Sequence, residues 1–426
     1  PRKRIARFNA DGSLDAMFTV GTGTGGTVFE IALQGDGRIL LGGNFTTFNA
    51  LPAGRIVRLL ANGSYDGSLN TGAGFDARVW AIGVQVDGSI IVGGEFTAYD
   101  GFARSKVARI SSTGLIDLSY APPASGTVTD IAIGSGGSAY LVGTFTYLPG
   151  SKLYKFTGAG ALDPAFTATP DARWVTFLQS TNTVVPREYH VPGMMKLNGT
   201  TGAEICGSAH LPRSSCNYLP QDWTISAVGP SGECYRVDPS HMGIQRFTAT
   251  CAFDDTFRPG TGLGWHSPNM SLTMDEFGQA SIGGRVNGSV STLPALNGTY
   301  GPDLYRLTLN GEFDASFLFD LGIEGTVDRV LALSGGRFLF QGKITLTCGP
   351  GGSYVMTNAL IYDPSTGGIG PLHLPFGACP AQEYGPDVQD VIELNSGKFL
   401  YVGQDLCAAP GFPIWDVGRF YSNGDV

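Results

Sequence analysis

The sequence has few charged residues, no long basic run and no long apolar run. Charged residues make up 15% of the 426 residues, the formal net charge is −9, and the longest basic cluster is Arg2-Lys3-Arg4. Because a phosphate backbone demands a basic face, we expect no nucleic-acid partner. No apolar stretch approaches the roughly 20 residues that span a bilayer, so we expect no membrane span. Since Pro1 is preceded by neither Met nor a signal-type segment, we also expect a processed or trimmed chain.

Cysteine is missing from the first part of the chain. No cysteine precedes Cys206, and the seven present form no C-x-x-C pair. The spacings Cys206/Cys216 and Cys234/Cys251 are typical of loop-closing disulfides, so we expect an oxidising location. Three cysteines remain, Cys348, Cys379 and Cys407. At least one of them should stay outside any disulfide within the chain, either as a free thiol or bonded to another chain. The alternative is a zinc site that uses His210, which lies between Cys206 and Cys216, although the sequence lacks the spacing typical of four zinc ligands.

Catalytic motifs are missing as well. The histidines form no H-E-x-x-H pattern, and no G-x-S-x-G elbow occurs. A glycosidase needs two carboxylates, and Asp254-Asp255, Glu312/Asp314 and Asp387/Asp390 are candidates, but most of them fall at a turn position that recurs along the chain. The sequence therefore predicts that the chain is not an enzyme, with a carbohydrate-active enzyme as the less favoured alternative.

Glycine is abundant: there are 63 glycines, together with 11% aromatic and 42% hydrophobic residues. Tight turns need glycine, and the apolar fraction is ample for a large core. This composition predicts a folded, loop-rich, all-β protein.

One line of sequence, Ile5-Ala-Arg-Phe8, recurs along the whole chain at a mean spacing of about 51 residues. The later copies begin at Ile56, Val107, Leu153, Met194, Ile244, Leu304, Ala359 and Val417. A period of this length indicates a repeat architecture in which each copy is one supersecondary unit.

A strand couplet lies between successive copies of this line. Its clearest copy is Thr27 to Gln34, a turn at Gly35-Asp-Gly37, and Arg38 to Phe45. Couplet and line together give four antiparallel strands, the size of one blade of a β-propeller. We therefore expect a single β-propeller domain over 1–426, of about eight blades with seven as the alternative. Glycine doublets such as Gly42-Gly43 predict a bulge or a close backbone approach.

The first unit resembles a known family. Asn9-Ala-Asp-Gly-Ser-Leu-Asp15, Gly25-Gly-Thr-Val28, Gln34-Gly-Asp-Gly-Arg38 and Leu41-Gly-Gly-Asn-Phe-Thr46 look like the delta-60 repeat. The resemblance implies a propeller-type unit of large secreted or surface proteins of bacteria and of some phage proteins. The kelch repeat is similar in its glycine doublet and length, but its spaced Tyr and Trp are lacking.

The two chain ends carry the same half-unit. We expect the N-terminal half-unit to close the ring, with Asp15 to Val20 supplying an outermost strand to the last blade. The repeats are regular in 1–166, whereas those in 167–426 diverge and contain every cysteine.

Oxygen ligands occur at every second residue of one turn, at Asn9, Asp11, Ser13 and Asp15. This spacing is typical of calcium loops, and calcium is the one cofactor that we consider. The alternative is a β-turn whose Asx side chains bond their own backbone.

Tryptophan is rare, and its positions are informative. Trp80, Trp174 and Trp223 align with Phe29 at the start of the innermost strand, so we expect them to pack between blades. Trp265 and Trp415 fall in inserted loops, where aromatic rings stack on sugars or partner proteins or fill a hydrophobic gap.

Function is expected in the divergent loops, because inserts on a rigid ring are where binding usually resides. The strongest inserts are 343–358 and 404–416. Two functions follow as hypotheses. One is a secreted or cell-surface module that binds a glycan or a protein. The other is a structural component of an extracellular or virion assembly, which contacts neighbouring subunits.

Overall fold

Each couplet forms an antiparallel hairpin, and the turn between its strands contains glycine except at 179–182. In the first couplet the N–H of Gln34 donates to the Arg38 carbonyl at 2.9 Å, and the N–H of Gly37 donates back to Gln34 at 2.8 Å. Gly37 has φ 81°, a left-handed conformation that other residues rarely adopt. Glycine therefore recurs at this turn because the backbone adopts a left-handed conformation there.

The computed structural model describes the regular repeats almost completely and the divergent ones in part. The described residues are 5–9, 15–122, 126–143, 153–167, 172, 174–179, 181–187, 196–206, 226–229, 231–238, 243–250, 252–257, 271–275, 278–283, 304–319, 323–348, 353–365, 368–371, 388–393 and 399–403. Apart from two 3₁₀ turns, Ser135–Gly137 and Ser334–Gly336, their regular structure is all strand. No helix in this part of the chain is long and apolar enough to cross a membrane.

The strands follow one another in repeating order. From the N-terminus they are β1 (Ile5–Phe8), β2 (Val28–Leu33), β3 (Ile39–Gly43), β4 (Thr47–Phe48), β5 (Leu51–Pro52), β6 (Ile56–Leu59), β7 (Val79–Val84), β8 (Ile90–Gly94), β9 (Ala98–Tyr99), β10 (Phe102–Ala103), β11 (Val107–Ile110), β12 (Val128–Ile133), β13 (Ala139–Gly143), β14 (Leu153–Phe156), β15 (Trp174–Leu178), β16 (Thr183–Arg187), β17 (Lys196–Asn198) and β18 (Glu204–Cys206). The remainder are β19 (Ser226–Val228), β20 (Cys234–Asp238), β21 (Gly243–Phe247), β22 (Ser271–Met274), β23 (Ala280–Gly283), β24 (Leu304–Leu307), β25 (Phe313–Phe319), β26 (Ile323–Ala332), β27 (Phe338–Cys348), β28 (Ser353–Asp363), β29 (Gly368–Pro371), β30 (Val388–Glu393) and β31 (Phe399–Gly403).

Within the described ranges these strands form eight antiparallel sheets of three or four strands and two small hairpins. The sheets are β2-β3-β6, β7-β8-β11, β12-β13-β14, β15 to β18, β19-β20-β21, β22 to β25, β26 to β29, and β30-β31-β1; the hairpins are β4-β5 and β9-β10. The first strands of successive sheets pack on one another, as β2 does on β7 and β7 on β12. The fold is all-β and propeller-like, as the repeat predicts.

Cores lie between neighbouring sheets. Leu40 of the first sheet belongs to the same buried cluster as Val79 and Ile90 of the second, while its neighbour Ile39 belongs to the cluster on the other face. Adjacent residues on one strand are thus both buried, because each sheet is covered on both faces. Every residue of β3 is buried for this reason.

The glycine doublets sit opposite a bulge, as expected. The register of β2 and β3 shifts between Val28 and Glu30, so that Phe29 is the extra residue opposite Gly43. A Cβ on Gly43 would collide with the carbonyl oxygen of Thr27, and one on Gly42 would overlap Val79 of the next sheet. Because Gly42 has no side chain, the neighbouring sheet can pack closely against it. The missing side chain of Gly43 likewise makes room for the bulged strand.

The N-terminal half-unit joins the last couplet, but not with the strand that the sequence predicts. β1 pairs with β31, from Ile5 opposite Val402 to Phe8 opposite Phe399. The expectation placed Asp15 to Val20 at the outer edge, whereas the structure uses β1 as the strand next to the couplet. Residues 404–426, including the copy that begins at Val417, lie outside the described ranges.

The connections between strands differ at the two ends of the sheets. Neighbouring strands of an antiparallel sheet run in opposite directions. The turn from the first strand to the second and the turn from the third strand to the outermost one therefore lie at the same end of the sheet. The turns from first to second strand have four or five residues in every sheet, as at 34–38 and 179–182. We call this end the short-turn face. The other connections, which we call the variable face, range in length from that of 320–322 to that of 284–303.

Among the described residues, three sheets carry a β-hairpin on the variable face. The hairpins β4-β5 and β9-β10 occupy the same position in the first and second sheets. In the seventh sheet β27 and β28 run past the sheet as a paired extension, from Ile344 opposite Thr357 to Cys348 opposite Ser353. The predicted insert 343–358 is thus largely paired strand rather than loop.

Candidate functional site

The arginine of the repeated line binds an aspartate of its own unit and a backbone carbonyl of the next unit. We call this pair of contacts the clasp. The Arg58 Nε donates to Asp66 Oδ2 at 2.7 Å, and a terminal nitrogen of the same guanidinium donates to the Ser112 carbonyl of the next unit at 2.6 Å. Both side chains of the ion pair are buried, with 3% and 6% exposed. Equivalent ion pairs are Arg7–Asp15, Arg109–Asp117, Lys155–Asp163, Arg246–Asp254 and Arg306–Asp314.

The clasp explains why acidic residues recur in the turn. In the third copy a hydrogen bond from Ser119, with the Arg109 guanidinium, lowers the pKa of Asp117 to about 2 despite some burial. Asp254 and Asp314, which belong to two of the candidate carboxylate pairs, hold the same position in their own ion pairs. Asp387 lies outside the described residues.

The predicted calcium turn is described only in part. Asp15 Oδ2 accepts a hydrogen bond from Arg7 Nε at 2.7 Å, and Oδ1 accepts one from the Met17 N–H at 2.9 Å. Both oxygens therefore serve the clasp and a local Asx turn, in keeping with the alternative interpretation. Asp11 and Ser13 lie outside the described residues, and the calcium site stays a prediction. Within the described ranges no three His, Cys, Asp or Glu side chains come together as a group that could hold a metal ion.

The predicted cysteine and tryptophan sites are mostly beyond the described ranges. Those outside are Trp265, Trp415, Trp223, Cys216, Cys251, Cys379 and Cys407, together with His210. Cys206 ends β18 and Cys348 ends β27. Cys234 is buried in β20, forms no disulfide within the described part of the chain, and has its thiol pKa raised by burial. The disulfide pairings and the loop-tryptophan site stay predictions.

A cluster of aromatic and charged side chains lies at the variable face between the first and second sheets. We call Phe29, Arg78, Trp80 and Glu95 the Trp80 cluster. The rings of Phe29 and Trp80 stack, with centroids 4.2 Å apart and planes inclined by 19°. The expectation that Trp80 packs on the neighbouring blade is confirmed. Phe29 is buried, whereas Trp80 is only half-buried.

Charged groups fix the edge of the indole ring. Trp80 Nε1 donates to Glu95 Oε1 at 3.0 Å, and Arg78 approaches the same carboxylate oxygen at 3.8 Å. The Arg78 guanidinium carbon is 5.9 Å from the indole centroid. Lys106 donates from Nζ to the backbone carbonyl of Glu95 at 2.6 Å. Arg78 and Glu95 remain 47% and 37% exposed, so both still face solvent.

Sequence reasoning missed the Trp80 cluster because it looked for function in the divergent repeats. The signal lies in the regular ones, where the second unit has Arg78 and Glu95 in place of Thr27 and Asn44 of the first. In the first unit the Thr27 N–H donates to Asn44 Oδ1 at 2.8 Å, a bond that shapes the backbone. The second unit keeps that shape and adds exposed charge.

The two hairpins of the variable face add a second exposed feature. Asn49 accepts a hydrogen bond from the Gly23 N–H at 2.9 Å, and Asp100, at the same hairpin position, accepts one from the Ala73 N–H at 2.8 Å. Each hairpin tip is thereby tied to the loop before its sheet. Leu51 and Phe102, at equivalent positions, are 64% and 45% exposed.

An open pocket of about 530 Å³ lies on the second sheet near its outer edge. Its charged groups are Arg109 and Asp117, and its exposed apolar residues are Leu115 and Leu118. Because the two charges are paired in the clasp, this pocket has no uncommitted ionic group.

Comparison with known families supports the fold. Three stretches, 1–18, 34–69 and 85–120, match the family model described as "Domain of unknown function (DUF5122) beta-propeller". They cover well under half of the chain and fall in its regular part. The expected propeller repeat is confirmed at this level. No curated protein sequence is similar to the chain.

Solved structures of propeller fold are similar at low identity. "Streptogramin B lyase structure" is 16% identical with a TM-score of 0.37, covering 79% of this chain and 93% of that one. Virginiamycin B lyase from Staphylococcus aureus is 12% identical with a TM-score of 0.35, covering 76% and 94%. The WD40 beta propeller domain of Doa1 is 11% identical with a TM-score of 0.40, covering 76% and 92%. At this identity the likeness concerns the fold alone.

The prediction that the chain is not an enzyme is contradicted, since two of these similar structures are lyases. The exclusion rested on absent sequence motifs. A propeller site is assembled from loops of different repeats, so its residues need no fixed spacing in the sequence. The likeness assigns no reaction to this chain.

Proposed function

We propose that this protein is an extracellular or surface-exposed binding module of the delta-60 type, with eight blades in a ring that β1 closes. It holds a glycan or a protein partner on its variable face. The observation that carries the proposal is the difference between the two ends of the sheets. The turns from first to second strand on the short-turn face have four or five residues, whereas the hairpins and the long inserts occur on the variable face.

Rigid blades with one variable face suit recognition. Near the short-turn face Arg58 pairs with an aspartate of its own unit and bonds a backbone carbonyl of the next unit, so loops at the other end can vary without disturbing the core. In the sequence Trp265 lies between β21 and β22, and Trp415 follows β31. Both are proposed to contact the partner.

The experiment screens the purified chain on a glycan array and against extracellular proteins from its source. We expect a signal that weakens at least tenfold when Trp265 or Trp415 is replaced by Ala. Val86→Ala is the matched control, because Val86 is 98% exposed on a short turn of the opposite face. A partner lost equally with Val86→Ala, or no partner at all, would contradict the proposal. An abundant particle containing the chain in fixed stoichiometry would instead support the structural alternative.

A further inference from the structure

We infer that the open pocket on the second sheet is a site for an arginine side chain of a partner protein. The pocket lies at the short-turn end of the sheet. Ser89 ends the turn from the first to the second strand, and Leu115 lies in the turn from the third strand to the outer edge. The site is therefore separate from the variable face, and the inference goes beyond the proposed function.

The first unit fills the equivalent place with an arginine of its own. Arg38 Nε lies 3.0 Å from Asp66 Oδ2, and the same guanidinium bonds the turn carboxylate of Asp36. One guanidinium thus bridges two carboxylates, which suits its planar set of N–H donors. Asp66 keeps its ion pair with Arg58 at the same time, so a clasp carboxylate accepts a second guanidinium.

The second unit keeps both carboxylates and lacks this arginine. Its turn carboxylate is Asp87, and its clasp carboxylate is Asp117. Ser89 stands in the place of Arg38, which removes one cation. The turn keeps its side-chain bond, because the Ser89 N–H donates to Asp87 Oδ1 at 2.9 Å, as the Arg38 N–H does to its own turn aspartate at 3.0 Å. The setting that holds a guanidinium in the first unit is therefore present without one.

The exchange of arginine for serine leaves accessible space. The pocket measures about 530 Å³, within the roughly 300–1,000 Å³ of small-ligand sites. The side chain of Asp117 is 31% exposed, against 6% for Asp66 beside Arg38. Arg104 does not replace the missing cation, because it bonds the backbone carbonyl of Asp117 at 3.3 Å and not the carboxylate. A cation that enters from solvent can therefore reach this carboxylate.

The rim of the pocket favours a protein over a free amino acid. Leu118 stands where the first unit has Gly67, and it is 60% exposed. Leu115 stands where the first unit has Ser64, and it is 71% exposed. Apolar rim residues pack against the methylene stem of an arginine and against the residues beside it. Arginine is also enriched at protein interfaces. An arginine on an exposed segment of a partner fits both the carboxylate and the rim.

The test measures binding of a labelled, end-blocked peptide, Gly-Leu-Arg-Leu-Gly, by fluorescence anisotropy. Versions with citrulline or lysine in place of the arginine separate the charge from the shape of the guanidinium. Free arginine is added as a competitor, to distinguish a partner protein from an amino-acid ligand. Asp117 is left in place, because its loss would break the clasp.

The decisive variant fills the pocket from within. Ser89→Arg restores the arginine of the first unit, so it should block the site without disturbing the fold. Val86→Arg is the matched control, because it adds the same charge to the same turn at a residue that is 98% exposed and does not line the pocket. Leu118→Ala tests the rim.

We expect the parent protein to bind the arginine peptide, and to bind the citrulline peptide roughly tenfold more weakly or worse and the lysine peptide several-fold more weakly. Ser89→Arg should weaken binding of the arginine peptide by roughly tenfold or more, Leu118→Ala by several-fold, and Val86→Arg not at all.

The inference is overturned if no peptide binds, if the arginine peptide binds equally to the parent and to Ser89→Arg, or if the citrulline or lysine peptide binds as tightly as the arginine one. Free arginine that competes as well as the peptide would show an amino-acid site and not a partner protein. These outcomes leave the proposed function standing, because the glycan and protein screen tests the variable face through Trp265 and Trp415.

Discussion

Arg58 and Asp66 show how single residues join the repeats. The guanidinium bonds a carboxylate of its own unit and a backbone carbonyl of the next, and Ser68 donates to Asp66 Oδ1 at 2.6 Å. Burial opposes ionisation of Asp66, but hydrogen bonds from Ser68 and Arg58 outweigh it and lower its pKa. A buried charge that loses its partner is costly, so the pair has to act as a unit.

Replacing Asp66 by Asn leaves the Arg58 charge buried without its counter-ion. We expect the free energy of unfolding to fall by about 3–5 kcal/mol, measured by urea denaturation. Asp36→Asn removes an exposed ion pair on the same face and should cost about 0–1 kcal/mol. Equal effects of the two substitutions would show that the clasp does not join the units.

The clasp is only half visible in the sequence. The recurring arginine and aspartate are readable as a pattern, and the turn role of the aspartate follows from its Asx chemistry. That Arg58 reaches Ser112 in the next unit depends on how two sheets lie against each other. The Trp80 cluster is similar, because Phe29 and Trp80 are 51 positions apart and meet only when the sheets stack.

At the scale of elements, the bulge and the glycine doublet form one device. The extra residue in the first strand turns Phe29, Trp80 or Thr129 out of the ladder, and the glycine opposite makes room for the displaced backbone. The doublet was readable as a bulge signal. The sequence does not show which residue the bulge displaces or which neighbour that residue contacts.

Gly94→Ala tests this device in the second sheet. A Cβ there would collide with the carbonyl oxygen of Arg78, so we expect a loss of about 1–3 kcal/mol in the free energy of unfolding. Gly35→Ala is the matched control: it lies in a turn with no atom within 4 Å of the added carbon and should be neutral or stabilising by about 0.4–1 kcal/mol. A harmless Gly94→Ala would mean that the strand can relax without its bulge.

At the scale of the whole molecule, the two ends of the described chain meet in one sheet. Pairing of β1 with β31 covers the edge of the last couplet, and β2 of the first sheet contacts both β30 and β31. An uncovered sheet edge is a liability for aggregation, and this pairing removes one.

Ile5→Ala tests the contribution of β1 to the last sheet. Ile5 is fully buried, so we expect a loss of about 2–5 kcal/mol and faster hydrogen exchange of the amides in β31. Leu118→Ala, at a residue that is 60% exposed, is the control and should change neither quantity. If Ile5→Ala leaves the hydrogen exchange of the β31 amides unchanged, β1 does not stabilise that sheet.

The sequence by itself determined the unit: its period, its strands and its glycine turns. These follow from local rules, since turn geometry and the alternation of side chains act over a few residues. Only the tertiary structure decided which strand covers the last couplet, which carbonyl each arginine reaches and where the Trp80 cluster lies. Such contacts join residues about 50 positions apart or, for β1 and β31, residues near the two ends of the described chain, so they depend on how the sheets assemble and have no short-range signature.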